Sequence, residues 1–238
     1  HTDNRRQRQM CIRDSIGDGT VGKTSLTSRF VNDDFRKSYK QTIGLDFFMK
    51  QVDLPGQVQV ALQVWDIGGQ TLGGKMIGNY IYGAQAVLLV YDITNLQSFQ
   101  DLEDWLDVVK KTFQGEEMPY LGLIGNKSDL AHIRAIKSDA HNKFADENCM
   151  YSYFVSAKSG DNVNSCFFRI AGDLAGVVLN KSEIELSSKV IAAEIVKHPA
   201  ALPPPPAGRK GGKKGGAAPE GQKGAAASGG GQRGCAIM

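Results

Sequence analysis

The sequence predicts an α/β domain, a mostly parallel six-stranded sheet between two layers of helices, followed by a disordered tail. Three observations carry this reading. Apolar runs alternate with segments of helical spacing from residue 17 to about residue 180, as they do when parallel strands are joined by crossover helices. The stretch Gly17 to Thr24 reads Gly-Asp-Gly-Thr-Val-Gly-Lys-Thr and matches G-x-x-x-x-G-K-S/T at every fixed position, where a strand should hand over to a helix. Beyond Leu202 the chain turns to Pro, Gly, Ala and Lys, a composition that cannot bury a core.

The strand feeding such a loop is buried on both faces and calls for a continuous apolar run. Arg13-Asp14-Ser15-Ile16 does not supply one, and Met10-Cys11-Ile12-Arg13-Asp14 resembles the translation of a library adapter. Residues 1–15 are therefore read as a non-native stretch in place of the first strand and set apart from functional reasoning. Lys23 to about Val31 reads as a helix, with Leu26 and Phe30 four apart on one face. Polar, irregular sequence follows from Asn32 to Thr42. Gly44 to Leu54 is strand-like, Pro55-Gly56 makes a turn, and Gln57 to Trp65 returns with Val58, Val60, Leu62 and Val64 alternating, as in a half-exposed antiparallel pair. Further strands are expected at Ala86 to Tyr91, Tyr120 to Ile124 and Tyr151 to Val155. Helices are expected at Ser98 to Thr112, Ser138 to Glu147 and about Asn162 to Leu179, the last extended loosely over residues 181–202.

Apolar residues at 41% and charged ones at 22% describe a globular protein, and no apolar run approaches the length of roughly 20 residues that spans a bilayer. The net charge of +3 is uneven: residues 203–238 hold six Lys or Arg against one Glu, a tail of +5 on a remainder of −2. A near-neutral domain with a basic tail argues against a nucleic-acid-binding surface and for an electrostatic tether to an anionic one. The four cysteines, Cys11, Cys149, Cys166 and Cys235, have no metal-ligand spacing, and a reducing compartment is the default.

The glycines of the first motif let successive backbone N–H groups curl around an anion, with Lys23 reaching the outer phosphates and the Thr24 hydroxyl free to ligate Mg²⁺. The positive end of the following helix favours a polyphosphate at the same spot. Asp66 closes a strand at a spacing that suits a metal-binding carboxylate. Gly69 and Gln70 follow it, a backbone N–H without a Cβ and an amide able to orient an attacking water. Asn126-Lys127-Ser128-Asp129 follows an apolar run, and a carboxylate at Asp129 can accept both the N1–H and the exocyclic amine of guanine, a pair that adenine lacks. Ser156-Ala157-Lys158 comes directly after another strand and would complete the base pocket.

Together Gly17 to Thr24, Thr42, Asp66 to Gln70, Asn126 to Asp129 and Ser156 to Lys158 resemble the five nucleotide motifs of the Ras superfamily of GTPases, over roughly residues 16–180. Tyr39 to Gly44 with Trp65-Asp66 resembles its Rab branch. Ile67-Gly68-Gly69-Gln70-Thr71 departs from the usual Rab sequence by keeping the Gln and losing a Glu. The resemblance implies a three-layer P-loop GTPase fold that binds GTP or GDP. Gly19, Thr20, Val21, Gly22, Lys23, Thr24 and Ser25 would surround the phosphates; Thr24 and Thr42 would ligate Mg²⁺, with Asp66 acting through water. Phe35 would pack on the guanine, Gly69 would contact the terminal phosphate, and Asn126, Lys127, Asp129, Ser156, Ala157 and Lys158 would hold the base. Gln70 would be the catalytic residue, and Gly19 would leave room for it and for a partner's arginine finger. Effectors, activating proteins and exchange proteins are the implied partners of a monomeric switch; the alternative is a scaffold that holds nucleotide and barely hydrolyses it. An Arf-like or Ras-like signalling role is disfavoured by Thr42-Ile43-Gly44 and Trp65.

The last four residues, Cys235-Ala236-Ile237-Met238, match C-a-a-X with Met at the end, the pattern for a farnesyl group on Cys235. One prenyl chain holds a membrane only marginally, and the basic tail supplies the second signal. The expectation is a cytoplasmic protein reversibly attached to an endosome, vesicle or cilium-base membrane, with a prenyl-binding carrier as a possible partner.

Overall fold

The computed structural model describes residues 7–36, 38–69 and 77–189. In chain order its elements are β1 (Gln7–Ile16), α1 (Lys23–Asn32), β2 (Leu45–Leu54), β3 (Val58–Ile67), α2 (Ile77–Ile81), β4 (Ala86–Asp92), α3 (Leu96–Gln100), α4 (Leu102–Thr112), β5 (Tyr120–Asn126), α5 (Ser138–Glu147), β6 (Tyr151–Phe154), α6 (Val163–Ala175) and α7 (Lys181–Lys189). The strands form one sheet in the order β2-β3-β1-β4-β5-β6. Only β2 and β3 run antiparallel. The predicted fold class is thus the observed one.

Burial on both faces explains the continuous apolar run of β4. Side chains alternate across a strand; Ala86, Leu88 and Val90 join one core with Leu26 and Phe30 of α1 and Phe167 and Ile170 of α6. Val87, Leu89 and Tyr91 face the other way, into a core with Trp105, Leu106 and Val109 of α4. A strand covered on one side only keeps polar residues at alternate positions, as β2 does where exposed Gln51 and Asp53 alternate with buried Val52 and Leu54.

Several elements differ from the sequence reading. Residues 1–15 were set apart, yet Gln7–Ile16 occupies the central strand position, parallel to both β3 and β4. A ladder needs only backbone N–H and C=O groups, which any extended segment offers. The register shifts between Ile12 and Ser15, where Arg13 and Asp14 lie. The helix expected over 98–112 is two, because Asn95 caps α3 through its side-chain oxygen and the chain turns at Asp101 into α4. Residues 181–189 do not extend α6. That helix stops at Ala175 because Gly176 takes a left-handed conformation, and α7 starts afresh from a capping box in which Asn180 and Glu183 each accept the other's backbone N–H at 2.9 and 2.8 Å. The tail, with Cys235, lies outside the described residues.

One titratable group is buried between α5 and the sheet. His141 of α5 is fully buried; its Nδ1 lies 2.9 Å from the Tyr91 hydroxyl and its ring 4.2 Å from that of Phe154. Desolvation, helped by the Arg134 charge, pulls it from 6.5 down to about 4. The folded state therefore holds it neutral, while the unfolded chain takes up a proton below pH 6.5. Its contribution is fully present above that pH and should be lost as pH falls towards 4, at about 1.4 kcal/mol per pH unit. Urea midpoints of native protein should fall more steeply across this window than those of His141→Gln; parallel curves would remove His141 from the account.

Candidate functional site

β1 has β3 on one side and β4 on the other, so the chain leaves it in opposite directions and a crevice opens at the carboxyl ends of these strands. A cavity of about 660 Å³ occupies it. Gly19, Lys23, Thr42, Asn126 and Asp129 all line it, as does Phe35. The motifs that sequence spacing singled out from five separate segments are brought together here.

At the phosphate-type end, α1 begins with Gly22 as its N-cap, no side-chain cap and no acidic residue in the first turn. Its first N–H groups are open to an anion. Gly22 adopts φ +95°, and a Cβ there would stand 2.5 Å from the Asn126 amide nitrogen, so no other residue fits. Lys23 threads back under the loop, its Nζ donating to the carbonyls of Gly17 at 2.7 Å and Asp18 at 2.8 Å. Burial lowers Lys23 to about 8, against the opposing pull of Asp66 and Asp18. An anion in the loop would restore its charge. The loop is also tied to the far core: the indole of Trp105 donates to Asp18 Oδ1 at 2.9 Å.

Beside Lys23, three oxygens gather. Asp66, buried at the end of β3, accepts a short hydrogen bond from the Thr24 hydroxyl. Thr42 Oγ1 stands 2.8 Å from Thr24 Oγ1 and 3.4 Å from the Asp66 carboxylate. Desolvation raises the Asp66 pKa despite these bonds and the Lys23 charge. The set is all oxygen, which suits Mg²⁺ over softer metals. Among the described residues no cluster of three His, Cys, Asp or Glu forms, so an ion here would depend on ligand phosphate oxygens for much of its coordination. Gly69 crosses above. A Cβ on it would lie 2.3 Å from the Gly19 nitrogen, so its backbone can touch the phosphate loop only as glycine. Gln70, the expected catalytic residue, lies outside the described residues.

At the other end the side chains support one another. Asn126 is buried and bridges two loops: its Nδ2 donates to the Val21 carbonyl at 2.8 Å and its Oδ1 accepts from Ala157 N–H at 3.1 Å. Asp129 accepts from the Ser156 hydroxyl at 2.7 Å and faces the Lys158 ammonium at 3.5 Å. It sits in a 3₁₀ turn, Ser128–Ile133, that the sequence did not indicate. Lys127 has left-handed backbone and its Nζ meets Asp92 Oδ2 at 2.6 Å. Thr20 and Ser25 line the cavity, while Val21 is buried behind it. Asp92 was missed; its signal was a carboxylate ending a strand, as at Asp66, without a neighbouring motif to mark it. Tyr39 was missed too: its hydroxyl comes within 4.0 Å of where a Cβ on Gly19 would be.

Comparison with known proteins places the chain in a family. The sequence model of the Ras family matches residues 15–175. A curated relative, the Ras-related protein Rab-28 of Caenorhabditis elegans, is 45% identical over 185 residues, covering 77% of this chain and 75% of that protein.

One loop residue is strained. Thr20 is β-branched yet holds φ +68°, a conformation that costs an L-residue about 1–2 kcal/mol. Glycine removes that cost and gives back about 0.4–1 kcal/mol through the freer unfolded chain. Thr20→Gly should therefore raise the thermal midpoint, by up to about 1.6 kcal/mol of stability; a lowered midpoint would mean that the Thr20 side chain contributes more than its backbone costs.

Proposed function

Because the chain belongs to the Ras family and is a Rab-type small GTPase, we propose that its crevice holds GTP or GDP through the residues described above and that it works as a membrane-attached switch. Members of the family bind these nucleotides with Mg²⁺ and act with effectors, activating proteins and exchange proteins. What carries the assignment of individual residues is the division of the crevice: Lys23, Thr24, Thr42 and Asp66 at one end, Asn126, Asp129 and Ala157 at the other.

In this reading Lys23 and the open N–H groups of the loop bind the outer phosphates. Thr24, Thr42 and Asp66 would hold Mg²⁺, which would supply positive charge beside the phosphate oxygens. Gln70 orients the water that attacks the γ-phosphorus, the bond to the β-phosphate oxygen breaks, and GDP and inorganic phosphate result without a covalent enzyme intermediate. Asp129 reads guanine, Lys127 and Phe35 pack against it, and Ala157 closes the pocket. Thr42 and Gly69 lose their γ-phosphate contacts on hydrolysis and release the segments that effectors read. Gly19 leaves space for an activating protein's arginine, worth roughly 10³–10⁵ in rate.

The nucleotide domain then spans residues 16–180, with α7 as a separate helix after it and residues 203–238 as a tether. A farnesyl group on Cys235 and the basic tail together attach it reversibly to vesicle, endosomal or ciliary-base membranes as a monomer. No described helix is long and apolar enough to cross a membrane.

Single-turnover hydrolysis of Mg²⁺·GTP tests the switch. Native protein should turn over slowly, and Gln70→Leu should bind GTP yet be slower by about tenfold or more. Equal, negligible turnover of both would favour the nucleotide-holding scaffold, which the altered residues Ile67 and Thr71 around Gln70 keep in view. For attachment, farnesylated protein should float with anionic vesicles and be released by salt, each neutralised tail residue near the surface removing about 1 kcal/mol, while Cys235→Ser should not float at all.

A further inference from the structure

We propose that Arg29 is a positioning residue for base recognition: it fastens the loop 156–158 to the same helix whose first turn carries Lys23 and Thr24. Arg29 stands in the last turn of α1 and uses all three guanidinium nitrogens. Its Nε donates to the Ala157 carbonyl at 3.0 Å and its Nη2 to the Lys158 carbonyl at 2.9 Å, across 128 and 129 residues of sequence. Its Nη1 donates to the carbonyl and the carboxylate of Asp33, at 2.9 and 3.0 Å. The side chain as a whole is 17% exposed; its Nε bond to Ala157 is partly buried, while the bonds of Nη1 and Nη2 lie at the surface.

Besides Arg29, the loop is tied to the segment 126–129, and Ala157 packs in the same core as Leu26 and Phe30 of α1. Gly160 N–H donates to the Ser156 carbonyl at 2.8 Å, and Ser159 N–H to the Ser156 hydroxyl at 3.1 Å. These bonds fix the turn, and of the α1 side chains it is Arg29 that hydrogen-bonds it to the helix. The turn's position matters twice, because the Ser156 hydroxyl orients Asp129 and the Ala157 N–H engages Asn126. Two consecutive carbonyls presented to one planar fork define both distance and angle, which a point charge such as lysine cannot do. Arg29 is six residues from Lys23, about 9 Å along the helix axis. One rigid rod therefore sets the separation between the phosphate end and the base end of the crevice. Asp33 is 48% exposed, so its ion pair with Arg29 lies on the solvent side and contributes little.

The inference rests on the crevice being a guanine-nucleotide site, and the test separates the two claims. Dissociation rates of GDP and of inosine diphosphate, which lacks the exocyclic amine that Asp129 would read, are measured from full-length native protein and from Arg29→Met, Arg29→Lys and Asp33→Ala. Native protein should hold GDP more firmly than inosine diphosphate. Arg29→Met should release GDP about tenfold faster and narrow the gap between the two ligands, which a general loosening of the fold would not do. Arg29→Lys, which keeps the charge and the ion pair, should also release GDP several-fold faster, and it decides the matter if the Met variant does not fold. Asp33→Ala should stay close to native. The proposal is overturned if Arg29→Lys matches native protein, if Arg29→Met speeds both ligands equally, or if Asp33→Ala has the full effect. Failure of native protein to retain GDP would instead defeat the nucleotide reading itself.

Discussion

Lys23 and Asp66 are buried together on the floor of the crevice, and neither is comfortable there. Desolvation pushes each towards its neutral form, and each is the other's partial remedy through their Coulombic attraction. A pair of this kind contributes little to folding stability, since withdrawal from water offsets much of the mutual attraction. Its presence makes sense as preparation for two further charges of opposite sign, a polyphosphate beside the ammonium and a divalent cation beside the carboxylate. The Thr24 and Thr42 hydroxyls crowd the Asp66 carboxylate for the same reason. In the proposed reading they are ligands gathered around a place for a cation.

The sheet is what makes such a floor possible. With apolar layers on both faces, the middle strands can end abruptly and in register, so that Asp66, Asp92 and Asn126 come out at one edge. Backbone then does much of the remaining work. Gly22 and Gly69 each leave out a side chain where two segments touch, which lets N–H groups rather than methyl groups face the crevice. Asn126 bonds one such segment to another. The phosphate end and the base end are thereby one construction instead of two adjoining sites.

How much of this the sequence discloses depends on distance along the chain. Lys23 and Thr24, Asp66 and Gly69, Asn126 and Asp129 are legible because their chemistry lies in spacings of a few residues. The single-strand periodicities are legible for the same reason, down to the ends of α5. What stays hidden is pairing across the fold. Nothing near Asp92 announces that Lys127 will reach it, and nothing near Asn32 announces which tertiary partners α1 will find. Breaks set by caps were also missed: Asn95 and Asp101 divide one apolar periodicity into two helices, and Gly176 stops another. The first strand is not legible in its side chains, because its ladder is made by its backbone.

The hydrogen bond from the Trp105 indole to Asp18 has a practical meaning. Trp105 is fully buried in the core of α4, and the chain has only one other tryptophan, Trp65. Indole emission shifts in colour and yield with the charge and hydrogen bonding at its nitrogen. The protein thus contains an optical reporter wired directly to its phosphate loop. Occupancy of that loop can be followed in real time on the unlabelled chain, with Trp65→Phe isolating the signal.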